Sequence, residues 1–382
     1  MNIVDIVTII LVGSVVYCYA IYPFAIQLYA RFRKNPWKQD SAHTPSVSIV
    51  ASIYNEEKVI GEFLDSLLSL NYPTGEYDIH IASDGSYDQT NTIVAAYAEL
   101  HPHIKPHYFD AQRGKIPVLN EMVGQAKGEI LFFVDADVTF STNTLLAHTR
   151  HYADPTVGAV AGAYQVDDRT SNTVGKIESQ YASLEQRMRT SEGQLASAMN
   201  VSGANYSMRQ SLWKQFPSAL ACDDLYIVLS ILQQGKRIVS DPDAIAYERH
   251  DRTLADEFPR KVRSASRGYL TLASFPQLLF ARIPESLLLW SHKILRWLSP
   301  FFLLAAGLLS VWRFLETGNV FYGAYLLGLS ALALIGSLAY FVERHGKSFP
   351  FFERIAWFAV MNYAFLVGAW KYLARTETSA WK

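Results

Sequence analysis

The chain has 382 residues, of which half are hydrophobic and only 18% are charged, an apolar composition for a soluble globular protein. The formal net charge of −1 gives no support for a nucleic-acid partner. Two cysteines far apart in the chain form neither a disulfide framework nor a cysteine metal motif. The apolar residues are concentrated at the two ends, so a block of mixed composition lies between apolar segments.

Residues 3–30 form an apolar run of about the length that a membrane-spanning helix requires. Asp5 is the only charged residue in this run. A cleaved signal peptide carries its positive charge before the apolar run, whereas here the charge follows it, so the pattern predicts an uncleaved anchor. Its N terminus would lie outside, and the next segment, residues 31–282, would be a cytoplasmic domain. The basic residues that follow the run are Arg31, Arg33, Lys34 and Lys38.

Three strand candidates in the middle block each end in a polar loop, and a helical pattern follows each loop. The three are residues 46–54 before Asn55-Glu56-Glu57, residues 77–83 before Asp84-Gly85-Ser86, and residues 104–109 before Gln112-Arg113-Gly114-Lys115. Three βα units in succession predict a doubly wound parallel sheet with right-handed crossovers. The three loops would then share the carboxyl edge of that sheet.

A fourth strand, residues 130–134, is wholly apolar and is followed by Asp135 and Asp137. Acids at the carboxyl end of a buried strand are costly unless they serve a site, although an isolated Asp-x-Asp is also compatible with a solvated turn. One shared site is the simplest explanation for four polar loops on one edge. The glycine signatures of a dinucleotide-binding fold and of a P-loop are both missing from this sequence.

The order of these motifs resembles the membrane-bound branch of the family 2 glycosyltransferases, which includes the cellulose and hyaluronan synthases. The motifs are Tyr54-Asn55-Glu56-Glu57, Asp84-Gly85-Ser86, Gly114-Lys115 with Leu119-Asn120, and Asp135-Ala136-Asp137. The resemblance continues to about residue 300. It implies an α/β fold of the GT-A type, a Rossmann-like domain that binds a nucleotide sugar, and inversion at the anomeric carbon.

The resemblance also implies roles for the edge residues. Asp137 would ligate a Mg²⁺ or Mn²⁺ ion, and Asp135 would contact the ribose or the ligand shell of the metal. Asp84 would bind the base, with uracil expected. Lys115 taken alone is better explained as a solvated surface lysine, and its place on the site edge makes a binding role equally compatible. The residues expected to bind the nucleotide sugar are Tyr54, Glu57, Asp84, Lys115, Asp135, Arg263 and Arg267.

Asp223 and Asp224 begin another helical pattern. Taken alone, they are first-turn acids favoured by the helix dipole. The resemblance matches them to the family's Glu-Asp motif, in which the second acid removes the proton of the acceptor hydroxyl. The acceptor side would also include Gly203, Ala204 and Arg209, although a glycine turn between strands explains that segment equally well.

The segment around residue 264 departs from the family. Processive synthases carry Gln-x-x-Arg-Trp here, and the Trp stacks on the acceptor sugar, whereas this chain has Lys261, Ser264 and Ala265 at those three positions. Arg263 and Arg267 are four residues apart on one helical face, where they could bind a diphosphate or lie on anionic lipid head groups. The missing aromatic side chain favours transfer of one sugar over polymer synthesis.

The C-terminal region is again apolar. Residues 283–298 mix leucines with Lys293 and Arg296, which predicts an interfacial amphipathic helix. Residues 299–375 would contain three further spans, followed by a tail at 376–382. The predicted spans are at about 299–315, 320–342 and 355–373.

The sequence thus predicts a multi-pass glycosyltransferase, in the class of hexosyltransferases, with its catalytic domain on the cytoplasmic side of a bacterial inner membrane. The partners would be a UDP-sugar, membrane lipids and a lipid-linked or glycan acceptor in glycolipid or polysaccharide assembly. Two alternatives remain open at this point. One is a processive synthase that also exports its product, and the other is a catalytically silent membrane scaffold with a nucleotide-binding fold.

Overall fold

The structure is a computed structural model that describes residues 2–73, 75–166, 173–217, 222–248, 254–345 and 352–376. The chain divides into two compact units. The first unit comprises residues 1–28, 171–178 and 251–377, and the second comprises residues 29–170, 179–250 and 378–382.

The strands are, in chain order, β1 (Val47–Ile53), β2 (Tyr77–Asp84), β3 (Ile104–Phe109), β4 (Ile130–Val134), β5 (Val138–Phe140), β6 (Val157–Val166), β7 (Asn205–Arg209) and β8 (Arg237–Glu248). The helices are α1 (Ile3–Val16), α2 (Tyr22–Phe32), α3 (Ile60–Leu68), α4 (Thr90–Leu100), α5 (Lys115–Gln125), α6 (Thr144–Thr149), α7 (Thr173–Leu195), α8 (Asp223–Gln233), α9 (Leu254–Ala273), α10 (Glu285–Leu289), α11 (Leu295–Thr317), α12 (Val320–Arg344) and α13 (Glu353–Ala374).

The second unit contains an eight-stranded sheet with the order β3-β2-β1-β4-β7-β6-β8-β5. The strands β1 to β4 are parallel, with Val47 opposite both Tyr77 and Ile130. The predicted βα units are therefore confirmed, and with them the α/β fold class. The other half of the sheet is mixed, because β7 runs antiparallel to both β4 and β6, and β5 runs antiparallel to β8.

Strand β4 lies in the middle of this sheet, between β1 and β7, which explains its uninterrupted apolar sequence. All five of its residues are buried. On α3 the fully buried residues recur at helical spacing and pack into the same core, as expected for an amphipathic helix on a sheet. These are Ile60, Phe63, Leu64 and Leu67.

A buried polar network lies beneath β7. Asn205 donates through its amide nitrogen to the carbonyls of Ala163 and Ala244. Its Oδ1 therefore accepts a hydrogen bond from His148 Nε2 at 2.9 Å. His148 Nδ1 is then unprotonated and accepts from Ser207 Oγ at 3.0 Å. Burial lowers the pKa of His148 to about 4 from its ordinary value of 6.5. This histidine is therefore neutral in the folded protein near neutral pH.

We expect the second unit to lose stability as the pH falls from 6.5 towards 4. The unfolded chain binds a proton at His148 over this window and the folded chain does not, so the loss is at most about 1.4 kcal/mol per pH unit. Chemical denaturation of detergent-solubilised protein at pH 7, 6, 5 and 4.5 measures it. The His148→Gln variant lacks this titration and should show a flatter dependence, whereas an unchanged dependence would contradict the assignment.

Gly85 allows two loops of the predicted site edge to meet. Its φ is +77°, and a Cβ at this position would lie 2.6 Å from the backbone nitrogen of Gln112. We expect Gly85→Ala to lower the free energy of unfolding by about 2–4 kcal/mol, because the left-handed backbone and the contact both oppose a side chain. Thermal unfolding in detergent measures this change. Gly124→Ala in α5 is the control, since an added Cβ there meets nothing within 4 Å; equal effects of the two variants would contradict the argument.

Among the described residues, three helical runs are long and apolar enough to cross a membrane. They are Ile3–Phe32, Glu285–Thr317 and Val320–Arg344. The first two runs each contain a π-helical turn, Tyr17–Ile21 and Trp290–Ile294. The first run corresponds to the predicted N-terminal anchor. The predicted interfacial helix at 283–298 does not form a separate element, because α10, the π turn and α11 continue into one another.

Two further predictions for the C-terminal region differ from the structure. The segment predicted as the last span is helix α13, but it is not among the candidate spans, since Asn362, Lys371 and several aromatic residues make it less apolar. Helix α9 was expected within 31–282 and instead groups with the first unit, where a Cβ on Gly368 would lie 2.7 Å from that of Ala265. The predicted tail lies outside the described residues except for Thr376.

Asp5 joins three helices of the first unit through one ion pair and one hydrogen bond. Asp5, in the first turn of α1, accepts from Arg313 Nε at 2.8 Å and from Tyr322 Oη at 2.6 Å. Arg313 lies near the end of α11 and Tyr322 near the beginning of α12. The start of α1, the end of α11 and the start of α12 therefore lie together, which satisfies the one acid in the N-terminal apolar run.

Candidate active site

Asp135, the first acid after β4, contacts Lys115, which in turn contacts two other segments of the second unit. Lys115 Nζ donates to Asp135 Oδ1 at 2.8 Å and to the carbonyl oxygen of Gly203 at 3.4 Å, and it lies 3.0 Å from Asp223 Oδ2. We call these four residues the acid–lysine cluster. Only 13% of the Lys115 side chain is exposed, so its ion pairs are shielded from solvent. The predicted donor and acceptor residues thus share one small volume.

The topology of the sheet explains this convergence. Lys115 is the first residue of α5 and follows Gly114, whose φ is +91°. Asp223 lies in the first turn of α8. Because β7 is antiparallel to β4 and pairs Asn205 with Val134, the segment just before β7 meets the carboxyl end of β4. Gly203 and Ala204 therefore reach the same edge as Asp135.

The charges of the cluster do not balance locally. Burial opposes ionisation of Lys115, but the carboxylates of Asp135 and Asp223 outweigh it and raise the pKa of Lys115 well above its usual range. Burial, opposed by Lys115 and aided by repulsion from Asp137, raises the pKa of Asp135 to about 6. Burial would also raise the pKa of Asp223, but the ion pair with Lys115 lowers it. One lysine therefore faces an excess of acid.

Glu56 adds to that excess. Burial and repulsion from Asp137 and Asp135 raise the pKa of Glu56 to about 7. Glu57, the glutamate predicted to bind the nucleotide sugar, is exposed and accepts from the backbone nitrogen of Gln89 at 3.1 Å. Which acid approaches the site depends on the turn at Asn55, whose φ is +54°. The sequence Glu56-Glu57 does not indicate the φ of Asn55, so it does not predict which of the two acids faces the site.

Asp84 is buried at the end of β2, and both of its carboxylate oxygens accept backbone hydrogen bonds. The donors are the nitrogens of Arg113 at 2.8 Å and Gly114 at 2.7 Å. Asp84 therefore anchors the loop that leads into Lys115. The predicted contact with the base stays a prediction. Tyr54, also predicted for this pocket, is half-buried and makes an edge-to-face contact with Tyr87.

The two acids of α8 have different partners. Asp223 pairs with Lys115, as described above. Asp224 Oδ1 accepts from the backbone nitrogen of Leu225 at 2.7 Å and from the thiol of Cys222 at 2.8 Å. Asp224 is the predicted base, and these bonds leave it outside the ion pair that lowers the pKa of its neighbour.

Three further predicted site residues lie on β7 and α9. Arg209 is opposite Ile130, at the other end of β4, where it donates to the carbonyls of Val157, Tyr152 and Asp154. The structure therefore removes Arg209 from the acceptor side, since β7 carries it to the opposite edge of the sheet. Arg263 and Arg267 lie on α9 in the first unit, four residues apart as predicted.

The residues after β4 fit a hard divalent cation. Asp135 and Asp137 provide oxygen ligands, and their mutual repulsion is the kind that a cation relieves. Within the described ranges, no group of three or more His, Cys, Asp or Glu side chains is arranged to hold a metal ion. A cation at Asp135 and Asp137 would consequently need ligands from a bound molecule, and phosphate oxygens are the usual ones.

Comparison with known proteins relates this chain to glycosyltransferases. Residues 48–216 match the family model "Glycosyl transferase family 2". The chain is 27% identical over 241 residues to the poly-beta-1,6-N-acetyl-D-glucosamine synthase of Staphylococcus epidermidis, a match that covers 62% of this chain and 57% of the synthase. It is 33% identical over 118 residues to the beta-monoglucosyldiacylglycerol synthase of Synechocystis, covering 30% and 25% of the two chains.

The fold also has a counterpart among solved structures. The chain superposes on the mannosyltransferase PcManGT of Pyrobaculum calidifontis, solved with GDP-Man and Mn²⁺, with a TM-score of 0.75. The superposition covers 97% of this chain and all of PcManGT, at 22% identity. At that identity the likeness supports the fold alone.

Proposed function

This chain carries a family 2 glycosyltransferase domain, and we propose that it transfers one sugar from a nucleotide-sugar donor to a membrane-associated, lipid-linked acceptor. The acid–lysine cluster is the observation that supports this proposal most directly. It joins one acid on the donor side, Asp135 after β4, to one acid on the acceptor side, Asp223 at the start of α8. The chain spans just over half the length of the N-acetylglucosamine polymer synthases that it matches. The activity of the whole protein is therefore a proposal.

On the donor side, Asp135 and Asp137 would hold a Mg²⁺ or Mn²⁺ ion together with the diphosphate of the donor. Such an ion supplies positive charge that neutralises the departing diphosphate. The protein contributes the buried strand that orients both acids, and Lys115 as a further cation beside them. The predicted binding of a diphosphate by Arg263 and Arg267 rests on the sequence resemblance alone.

On the acceptor side, Asp224 would act as the general base. The acceptor oxygen forms a bond to the anomeric carbon while the bond from that carbon to the phosphate oxygen breaks, and Asp224 receives the acceptor proton. One direct displacement of this kind inverts the anomeric configuration. Asp223 is a weaker candidate for the base, because its ion pair with Lys115 lowers its pKa.

We propose UDP as the nucleotide, in line with the resemblance carried by Asp84-Gly85-Ser86. The name of the staphylococcal synthase identifies a polymer of N-acetylglucosamine, and PcManGT was solved with GDP-Man. Both UDP-sugars and GDP-sugars therefore belong in a donor screen. Neither comparison defines the sugar, because selectivity among sugars depends on the shape of the pocket.

The acceptor is proposed to be a lipid for two reasons. Three helical runs are long and apolar enough to cross a membrane, and the segment on α9 lacks the aromatic residue with which processive synthases of this family hold a glycan. With α1 entering from outside and basic residues following α2, the domain would be cytoplasmic. A relative that makes a glycolipid, beta-monoglucosyldiacylglycerol synthase, agrees with this choice.

A second candidate function is processive synthesis of a polysaccharide coupled to export. It is favoured by the similarity to poly-beta-1,6-N-acetyl-D-glucosamine synthases, which extends over 62% of this chain. The two candidates differ in product length. Membranes supplied with the selected donor should yield a lipid carrying one sugar under our proposal, and a long polymer would favour the second candidate.

The primary test is a donor screen with purified protein in lipid nanodiscs, in which release of nucleoside diphosphate is followed with and without Mn²⁺ or Mg²⁺. We expect release that depends on the cation and on one class of donor. Release that persists fully in the presence of EDTA would contradict the proposed cation. No release with any donor would instead favour a catalytically silent scaffold.

A further inference from the structure

Lys115 makes two hydrogen bonds and one further ion pair within the acid–lysine cluster. Its ammonium group has three N–H donors and lies within 3.4 Å of three oxygens, on Asp135, Asp223 and Gly203. The side chain is largely buried, and both carboxylates are partly buried. A lysine of this kind is a fixed cation in the centre of the site.

The position of this ammonium group matters because Asp135 is half of the proposed cation site. Lys115 contacts Oδ1 of Asp135 at 2.8 Å, so it engages the carboxylate that would help to hold a divalent cation. A cation bound to Asp135 and Asp137 would also be repelled by the ammonium charge a few ångströms away. Lys115 and a divalent cation therefore compete for Asp135.

We propose that Lys115 is an internal counter-ion that keeps Asp135 from binding a divalent cation until a nucleotide diphosphate enters the site. The inference rests on the proposed cation-assisted transfer. The diphosphate brings negative charge of its own, which can compensate the lysine and the metal ion together. Donor and cation would consequently bind with strong mutual dependence, and the cation alone would bind weakly.

The placement of Asp223 adds a second consequence. Lys115 links Asp135 on the donor side to Asp223 and Gly203 on the acceptor side. Lys115 is thus a positioning residue, since its removal would free Asp223 and the segment before β7 as well as Asp135. The proposal therefore predicts opposite effects of one substitution on cation binding and on turnover.

The test is binding of Mn²⁺ alone to the full-length protein in detergent, measured from the EPR signal of free Mn²⁺. We expect Lys115→Gln to bind nucleotide-free Mn²⁺ about tenfold more tightly than the wild type while its turnover falls. Lys115→Arg, which keeps the positive charge, should bind Mn²⁺ as weakly as the wild type. Lys105→Gln is the matched control, because Lys105 also pairs with an acid, Asp78, but outside the cluster.

Nucleotide-free Mn²⁺ binding by folded Lys115→Gln that equals or is weaker than that of the wild type would overturn the inference. If this variant does not fold, Lys115→Met tests the same loss of charge with a side chain that tolerates burial. The wild type gives an independent measurement, since UDP should tighten its Mn²⁺ binding at least tenfold. Equal Mn²⁺ affinity with and without UDP would likewise overturn the inference.

These outcomes are separable from the proposed function. If the wild type shows no cation-dependent release of nucleotide with any donor, the proposed function fails, whatever the Lys115 variants do. If the wild type is active with a cation but Lys115→Gln does not bind Mn²⁺ more tightly, only the counter-ion inference fails.

Discussion

Replacing Asp137 with Asn should reduce transfer by about a thousandfold or more, which corresponds to about 4 kcal/mol of transition-state stabilisation. Asp137 follows the buried strand β4 and lies beside Asp135 at the carboxyl edge of the sheet. The substitution removes one of the two carboxylates proposed for the cation and keeps nearly the same shape. Nucleotide release and product formation at saturating donor measure the effect.

The matched control for this prediction is Asp243→Asn. Asp243 is an exposed acid that pairs with Arg150 at 2.8 Å, so its substitution removes the same charge from the same unit without touching the cluster. We expect its activity to stay within about twofold of the wild type, because exposed ion pairs contribute little. Retention of more than a tenth of wild-type activity by Asp137→Asn would refute its proposed role as a ligand.

The amino-acid sequence contains enough information for the donor half of this site because local patterns define it. Five apolar residues followed by Asp135 and Asp137 predict a central buried strand with acids at its end, and β4 has that form. The parallel βα units place the other polar loops on the same edge. This half of the site is predictable because each of its features depends on residues that are neighbours in the sequence.

The acceptor half depends on contacts that local patterns do not encode. The ion pair between Lys115 and Asp223 joins residues more than a hundred positions apart, and Gly203 reaches the same lysine because β7 runs antiparallel to β4. The same reversal carries Arg209 away from the edge at which Gly203 arrives. A reading that treats Gly203 and Arg209 as one segment misses this, since five residues of a strand separate the two edges of the sheet.

Adjacent residues with the same side chain also show what local sequence patterns do not predict. Glu56 and Glu57 are indistinguishable by composition, but the turn at Asn55 gives only Glu56 a carboxylate that interacts with Asp135 and Asp137. The predicted boundary between the interfacial helix and the next apolar helix differs from the structure for a related reason. A run of mixed leucines and basic residues at 283–298 fits an interfacial helix, yet continuous backbone hydrogen bonding through a π turn joins it to α11.

Replacing Asp224 with Asn should lower kcat by about 10²- to 10⁴-fold, the range expected when a general base is removed, with little change in the KM for the donor. Asp223→Asn should behave differently. It removes the acid that Lys115 holds at 3.0 Å, so we expect a smaller fall in kcat, of about tenfold, accompanied by a higher donor KM. The two variants differ by one position, which makes each the control for the other.

We expect the larger fall in kcat from Asp224→Asn because the two acids have different partners. Asp223 is held as a carboxylate by Lys115, and a carboxylate with a lowered pKa is a poor proton acceptor. Asp224 accepts hydrogen bonds from Leu225 and Cys222 through Oδ1 and has no ammonium partner in that interaction. If Asp223→Asn is the more damaging variant, the base is Asp223, and the proposed mechanism must begin from the ion pair with Lys115.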